Sequence, residues 1–324
     1  MEWYDIRKRS EKLRPVSIVI GGRGIGKTYS ALSFLLETGK KFLYLRNTDK
    51  QMSLCASAFG NPFKKVASDQ ERDITMKAAG EIYVVKEVDD VIGYGAALST
   101  FENLRGVDLS DVEYVLFDEF IENRTLSFKQ GSAFMNLYET INRNRELEGK
   151  PAVKVYLLGN ANKLSNPYYT GWHFMKTAIK MIRGDQMVWR SSDGSRLMIL
   201  LLHSPISEKK RSTTLYRNSN GDFLKMALDN AFRTDETVIK SEPLIEYGHM
   251  VSVGEIGIYK HKSERRFYVS SKTQEPYYHD YGIELKLFQQ DFAMLRIYYM
   301  VSKTMIFESY ENEIIFRELF NLNK

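Results

Sequence analysis

One cysteine in 324 residues, Cys55, excludes any disulfide within the chain and makes a reducing compartment the default. Long apolar runs are missing too. The longest, around Leu197 to Leu202, falls far short of the roughly 20 residues a membrane span needs. The opening stretch, MEWYDIRKRSEKLRP, is charged and lacks the apolar heart of a signal peptide, so the expectation is a protein neither secreted nor membrane-embedded. Charge of one sign is scarce: 46 Lys and Arg against 41 Asp and Glu leave +5, which permits nucleic-acid contact without requiring it. There is no internal repeat and no low-complexity tract, which sets aside solenoids and tails. What remains is a globular composition, 43% hydrophobic and 27% charged, in a chain long enough for two domains and an unstapled core. Aromatics stand at 13%, somewhat enriched, and the sequence assigns them no task.

From Ser17 to about Leu158, short apolar runs alternate with helical patterns. Ser17 to Ile20 reads as a buried strand, then a Gly-rich turn, then a helix from about Lys27 to Glu37. Lys41 to Leu45 is the next strand, and Glu81 to Val85 with Val91 to Leu98 form a pair around Asp89-Asp90. Tyr114 to Phe117 and Val153 to Leu158 are two more buried strands. Between them Ala133, Phe134, Leu137, Tyr138 and Ile141 recur at helical spacing, with Gly149 and Pro151 as the stop. Strands separated by helices predict crossover units and a mainly parallel sheet, hence an α/β domain. Met187 to Arg190 and Arg196 to Leu202 flank an Asp193-Gly194 turn, the mark of a hairpin. Glu208-Lys209-Lys210-Arg211 opens a polar connector with a short helix expected around Phe223 to Phe232. Beyond Glu242, strands at Met250 to Val253, Ile256 to Lys260 and Arg266 to Ser270 precede two helical segments, Gln289 to Val301 and Ile306 to Leu322. The division that follows is 1–205, a linker 206–235, and a small α+β domain 236–324.

Gly21-Gly22-Arg23-Gly24-Ile25-Gly26-Lys27-Thr28 completes the pattern G-x-x-x-x-G-K-[ST] between an apolar strand and a helix. Glycines let backbone N–H groups curl around phosphate oxygens, and the helix presents its positive end to them. Lys27 is expected on the β- and γ-phosphates of ATP and Thr28 on Mg²⁺. Tyr114-Val115-Leu116-Phe117-Asp118-Glu119 is an apolar strand ending in two carboxylates. Asp118 would hold the magnesium ion and Glu119 would act as general base on water. That pair selects the ATPase branch carrying a catalytic glutamate, the ASCE type of P-loop NTPase, with helices on both faces of its sheet. Asn160, at the end of Tyr156 to Gly159, is the candidate sensor of the γ-phosphate. Arg143 and Arg145 follow the helix after that acidic strand. Either suits a charge-stabilising arginine offered to a neighbouring subunit, and Arg23 is a rival for that role within its own subunit. Arg46, at the end of the second strand, either lines the nucleotide pocket or forms an ion pair.

Val19 to Thr28, then Phe117-Asp118-Glu119-Phe120-Ile121, then Arg143-Asn144-Arg145-Glu146 together resemble the encapsidation ATPase of small, short-tailed, protein-primed bacteriophages. That family is a terminase-like DNA-packaging motor. Motif order and spacing agree over the first 200 or so residues, with weaker echoes at Asn160 to Tyr168 and at Leu228-Asp229-Asn230. The resemblance implies a ring, expected to be a homopentamer, at the portal of the empty capsid (procapsid) in the host bacterial cytoplasm. It implies ATP hydrolysis driving double-stranded DNA inward, and a packaging RNA as partner where one exists. By motif position Arg143, rather than Arg145, matches the arginine offered in trans. It also implies that the C-terminal domain is shaped like an RNase H nuclease that has lost its chemistry.

Two-metal nucleases need acids clustered at strand ends. The three expected C-terminal strands contain no Asp, Glu255 is the only acid between the first two, and Asp280 and Asp291 lie downstream. No nuclease activity is expected. Lys209, Lys210, Arg211 and Arg217 form one basic cluster for DNA, and Lys262, Arg265 and Arg266 another. Two other readings share the nucleotide-site residues. One is a different catalytic-glutamate ATPase, such as a helicase or phage assembly ATPase. The other is a slow nucleotide-gated switch, against which an intact Glu119 argues.

Overall fold

In the computed structural model, which describes residues 3–8, 14–57, 59–100, 107–121, 128–160, 168–169, 172, 174–201, 205–218, 224, 239–302 and 304–322, the apolar run after Pro15 becomes β1 (Val16–Gly21), buried but for its first residue. Gly26 then turns left-handed at φ 102° and opens α1 (Lys27–Thr38), which a second left-handed glycine, Gly39, closes. The chain continues through β2 (Phe42–Arg46), α2 (Asp49–Ala56), α3 (Phe63–Asp69) and a meander of β3 (Ile74–Ala79), β4 (Ile82–Glu87) and β5 (Asp90–Ala97). β6 (Tyr114–Asp118), α4 (Phe128–Asn142) and β7 (Lys154–Gly159) follow. Then come α5 (Met175–Arg183), the hairpin β8 (Val188–Arg190) and β9 (Arg196–Leu201), and two short helices, α6 (Pro205–Arg211) and α7 (Thr214–Arg217).

The strands form one sheet in the order β3-β4-β5-β2-β6-β7-β1-β9-β8. From β5 to β9 every neighbouring pair is parallel, while β3, β4 and β8 join antiparallel at the two edges. Helices cover both faces, as alternation along β6 makes plain. Tyr114 points to α1, whose Phe34 meets it at 5.8 Å and Tyr156 at 5.9 Å between ring centroids. Phe117 points the other way, onto Phe134 of α4 at 5.3 Å. Tyr156, Phe117 and Phe134, which are fully buried, each contribute about 1.5–3 kcal/mol of transfer free energy.

The second unit has its own sheet, in the order β13-β10-β11-β12-β14. β10 (Tyr247–Val253), β11 (Ile256–His261) and β12 (Phe267–Ser270) run antiparallel, and β13 (Tyr277–Tyr278) and β14 (Met305–Phe307) add in parallel at the two edges. Helices α8 (Gly282–Asp291), α9 (Ala293–Ile297) and α10 (Tyr310–Leu319) complete it. Here the aromatic surplus finds its use. Phe288 and Phe316, each with the ring four residues on at its helix's C-cap, Phe292 and Phe320, pack as a chain of rings 5.0–5.4 Å apart.

Three expectations change. The helix expected to run to Gly149 ends at Asn142, where Arg143 takes a left-handed φ of 41° and turns replace the helix. The polar stretch from Glu208 is helical in part, because Ile206 and Ser207 are buried and seat α6. The last helical segment begins with a strand, Met305–Phe307. The helix expected at Phe223 to Phe232 and the echoes at Ala161 to Pro167 and Leu228-Asp229-Asn230 lie outside the described residues, Leu224 apart.

Candidate nucleotide-binding site

The Gly-rich loop leaves β1 at the carboxyl end of the parallel strands, where open α/β sheets place their ligands. Gly24 and Gly26 both hold positive φ, 62° and 102°, which a side chain would strain. Gly21 is needed for another reason. A Cβ there would stand 2.7 Å from Ile25 Cδ1 and 2.9 Å from Leu201 Cδ1. Ile25, expected among the phosphate-binding residues, therefore offers only its backbone, its side chain being buried against the sheet.

Lys27 Nζ donates to the carbonyls of Gly21 at 2.7 Å and Gly22 at 2.8 Å, and to Asn160 Oδ1 at 3.1 Å. Burial lowers its pKa to about 8, while the carboxylates of Asp118 and Glu119 pull the other way. The Thr28 hydroxyl donates to Asp118 Oδ1 at 3.0 Å. So of the residues named from sequence, Arg23, Gly24, Gly26, Lys27, Thr28, Asp118, Glu119 and Asn160 line one cleft of about 670 Å³, while Gly21, Gly22 and Ile25 do not. Two hard oxygen donors, the Thr28 hydroxyl and the Asp118 carboxylate, fit a magnesium ion, which takes few protein ligands and fills its shell with water and phosphate.

β2 supplies what sequence reading underrated. Tyr44 and Arg46 alternate onto one face and both reach Asp118 Oδ2, each at 3.1 Å. Arg46 also donates to Glu119 Oε2 at 2.5 Å, so the ion pair is real and it lies inside the site. Burial pushes the Asp118 carboxyl up, and the Arg46 guanidinium opposes that shift. Glu119 carries a left-handed φ of 51°, costly for a residue with a Cβ. Asn47 stabilises that turn by donating from Nδ2 to the Glu119 carbonyl at 2.9 Å. Neither Tyr44 nor Asn47 belongs to a motif, and only their nearness to Arg46 on β2 could have flagged them.

The two arginines after α4 part company. Arg145 donates to the carbonyls of Ser110, Val112 and Pro151, all at 3.2 Å, and so ties a turn to two loops. Arg143 is exposed, and among the described residues its side chain makes one hydrogen bond, from Nε to the Thr140 carbonyl at 3.1 Å. In the basic clusters, Lys210 is bound to the Gly-rich loop, Arg217 donates to Ser212 O, and Arg266 pairs with Glu242 and Glu264. Among the described residues no three His, Cys, Asp or Glu group to hold a metal, and Asp291 accepts instead from the Tyr278 hydroxyl at 3.0 Å.

A phosphate-cradling loop, a buried Asp and a neighbouring Glu on a mainly parallel sheet define a P-loop NTPase of the catalytic-glutamate class. The chain belongs to the podovirus DNA encapsidation protein (Gp16) family, whose model matches residues 2–299. The DNA packaging protein of Bacillus phage phi29 is 26% identical over 246 residues, spanning 73% of this chain and 68% of that protein. Its counterpart from Bacillus phage B103 is 25% identical over 233 residues, 69% and 66%. The fold is that of the phi29 viral genome packaging motor assembly, with a TM-score of 0.67 at 18% identity over 99% of both chains. It is equally that of the Phi-28 gp11 DNA packaging motor, with a TM-score of 0.67 at 17% identity over 99% of this chain and 97% of that one. Family membership favours DNA packaging over a helicase or a nucleotide-gated switch.

Proposed function

We propose that this chain is the ATP-hydrolysing subunit of a ring, a homopentamer by the resemblance, that drives double-stranded DNA through the portal into a preformed capsid. The observation that carries it is the convergence of Lys27, Thr28, Asp118, Glu119 and Asn160 within hydrogen-bond reach of one another or of Arg46 at a single cleft. Thr28 and Asp118 would hold Mg²⁺, which neutralises phosphate charge. Lys27 would exchange its loop carbonyls for phosphate oxygens, keeping Asn160 close to the γ-phosphate. Glu119 takes the proton of the attacking water once it leaves Arg46, since a carboxylate engaged by a guanidinium is a poor base. The ATPase domain is 1–205 with a linker to about 235, and 236–324 form the second domain.

The nucleoside has a place to go. A cavity of about 620 Å³ adjoins the phosphate cleft and shares Trp3, Gly26 and Tyr29 with it. Trp3 is held there because Tyr4 N donates to the Ile25 carbonyl at 3.0 Å, and its indole stays half exposed. Such a ring can stack on a base.

Arg143 is our choice for the arginine given to the neighbouring subunit's ATP, because Arg145 is committed to three carbonyls. Lys209 and Lys262, exposed in their clusters, are candidates for DNA phosphates, and a capsid-bound RNA is a further partner. The protein works in the host bacterial cytoplasm, at the portal vertex while DNA enters. The C-terminal domain does not cut DNA. The test is entry of DNA into empty capsids, read by nuclease protection, with Lys27→Ala as control. No ATP-dependent protection with matched capsids would sink packaging, and a magnesium-dependent cut of linear DNA, lost with Glu255, Asp280 or Asp291, would sink the second claim.

A further inference from the structure

α6 returns to the Gly-rich loop by a short route. β9 pairs in parallel with β1 as far as Gly21 opposite Leu201, and α6 begins four residues later, at Pro205. Lys210, near its end, is 187 residues from Arg23 in sequence. Its Nζ nevertheless donates to the Arg23 carbonyl at 2.6 Å and the Gly24 carbonyl at 3.0 Å. Lys27 takes the two preceding carbonyls, Gly21 and Gly22. Two ammonium groups thus engage four consecutive carbonyls of one loop. The fit is close: a Cβ on Gly24 would stand 2.6 Å from Lys210 Nζ, so no side chain at 24 could coexist with this contact.

In a trans, planar peptide the C=O and the following N–H point in opposite directions. Drawing the Arg23 and Gly24 carbonyls towards Lys210 therefore turns the N–H groups of Gly24 and Ile25 away from it. Those are two of the donors by which such a loop surrounds phosphate. We infer that Lys210 is a positioning residue for the phosphate-binding loop, presetting the Gly24 and Ile25 N–H groups for the phosphates of a nucleotide. Within the basic cluster it is then set apart from Lys209, which faces solvent and stays free for DNA. The inference rests on the loop being the ATP site.

The test uses the full chain with Lys210→Met and Lys210→Arg. ADP affinity is measured by calorimetry, kcat and KM for ATP by steady-state hydrolysis, and the thermal midpoint without nucleotide. Lys210→Met should weaken ADP and raise KM about tenfold, the scale of one charge-assisted hydrogen bond, because these donors hold ground and transition state alike. Its kcat should stay within about threefold, and its thermal midpoint should fall by only a few degrees, the scale of two lost hydrogen bonds, so that it stays folded in the assay. Lys210→Arg, whose fork can meet two carbonyls, should recover most of the affinity. Undiminished ADP binding by Lys210→Met would sink this inference alone. So would a loss that Lys210→Arg fails to recover. Wild-type protein that binds no nucleotide would sink the ATP site and this inference with it.

Discussion

Glu119 sits in a left-handed turn with its carboxylate held by Arg46 at 2.5 Å, and the two are opposite ends of one device. Arg46 is 14% exposed and also holds Asp118, which is buried. A general base accounts for a large kinetic factor and little binding. Glu119→Gln should therefore cut kcat by about 10²–10⁴ and leave ATP affinity within about threefold, measured by steady-state hydrolysis and nucleotide titration. Unchanged turnover would remove Glu119 from the chemistry. Arg46 is a different case, because its loss leaves a buried carboxylate without its cation. Arg46→Met should cost about 3 kcal/mol in urea denaturation. Arg46→Lys should recover only part, since a point charge cannot bridge two carboxylates as a fork does. No loss of stability in either variant would mean that the Thr28 and Tyr44 hydroxyls satisfy Asp118 without a cation.

Among elements, the end of α4 decides which arginine is free. Asn142 closes the helix by accepting from Val153 N at 2.9 Å and donating to Glu146 Oε2 at 3.1 Å, so the turn after it is fixed from both sides. Arg145 is part of that fixture. Arg145→Ala should destabilise by about 1–2 kcal/mol through lost charge-assisted bonds, whereas exposed Arg143→Ala should stay within about 0.5 kcal/mol. Equal destabilisation in denaturant would argue against the division of roles. Helix periodicity could not reveal this stop, because the apolar spacing that ends at Ile141 says nothing of Asn142 bonding Val153 N and Glu146, or of Arg145 finding carbonyls. α2 and α3 were equally hidden. α2 is eight residues with two buried side chains, Met52 and Cys55, too weak a stripe to read, and its clearest mark is the Thr48–Gln51 capping box. β3 escaped because its Lys77-Ala78-Ala79 end breaks the alternation of Ile74 and Met76.

For the whole molecule, an arginine in trans makes each proposed active site belong to two subunits. Arg143→Ala should lower ATP turnover of the assembled motor by about 10³–10⁵. Mixing Arg143→Ala with Glu119→Gln subunits should restore part of it. An Arg143→Ala subunit keeps its Glu119 and borrows an intact arginine from a Glu119→Gln neighbour. Mixtures no more active than either parent would place the arginine in its own subunit's site. In the proposed ring the mild +5 would act locally: Lys210 and Arg266 are engaged within the chain, and Lys209 and Lys262 are the residues proposed to meet a polyanion.

The lack of a disulfide within the chain and of any long apolar run, the loop from Gly21 to Thr28, the Asp118-Glu119 strand end and the alternation of strands with helices were all determined by the sequence itself. Each depends on neighbours within a few residues, where side-chain period and glycine conformation act locally. Tertiary structure alone decided that β9 lies beside β1, that Tyr44 and Arg46 converge on Asp118, that Arg145 is spent, and that Lys210 reaches the loop. These contacts join residues dozens to nearly two hundred positions apart. Strand order and crossover geometry set them, and no local period records either.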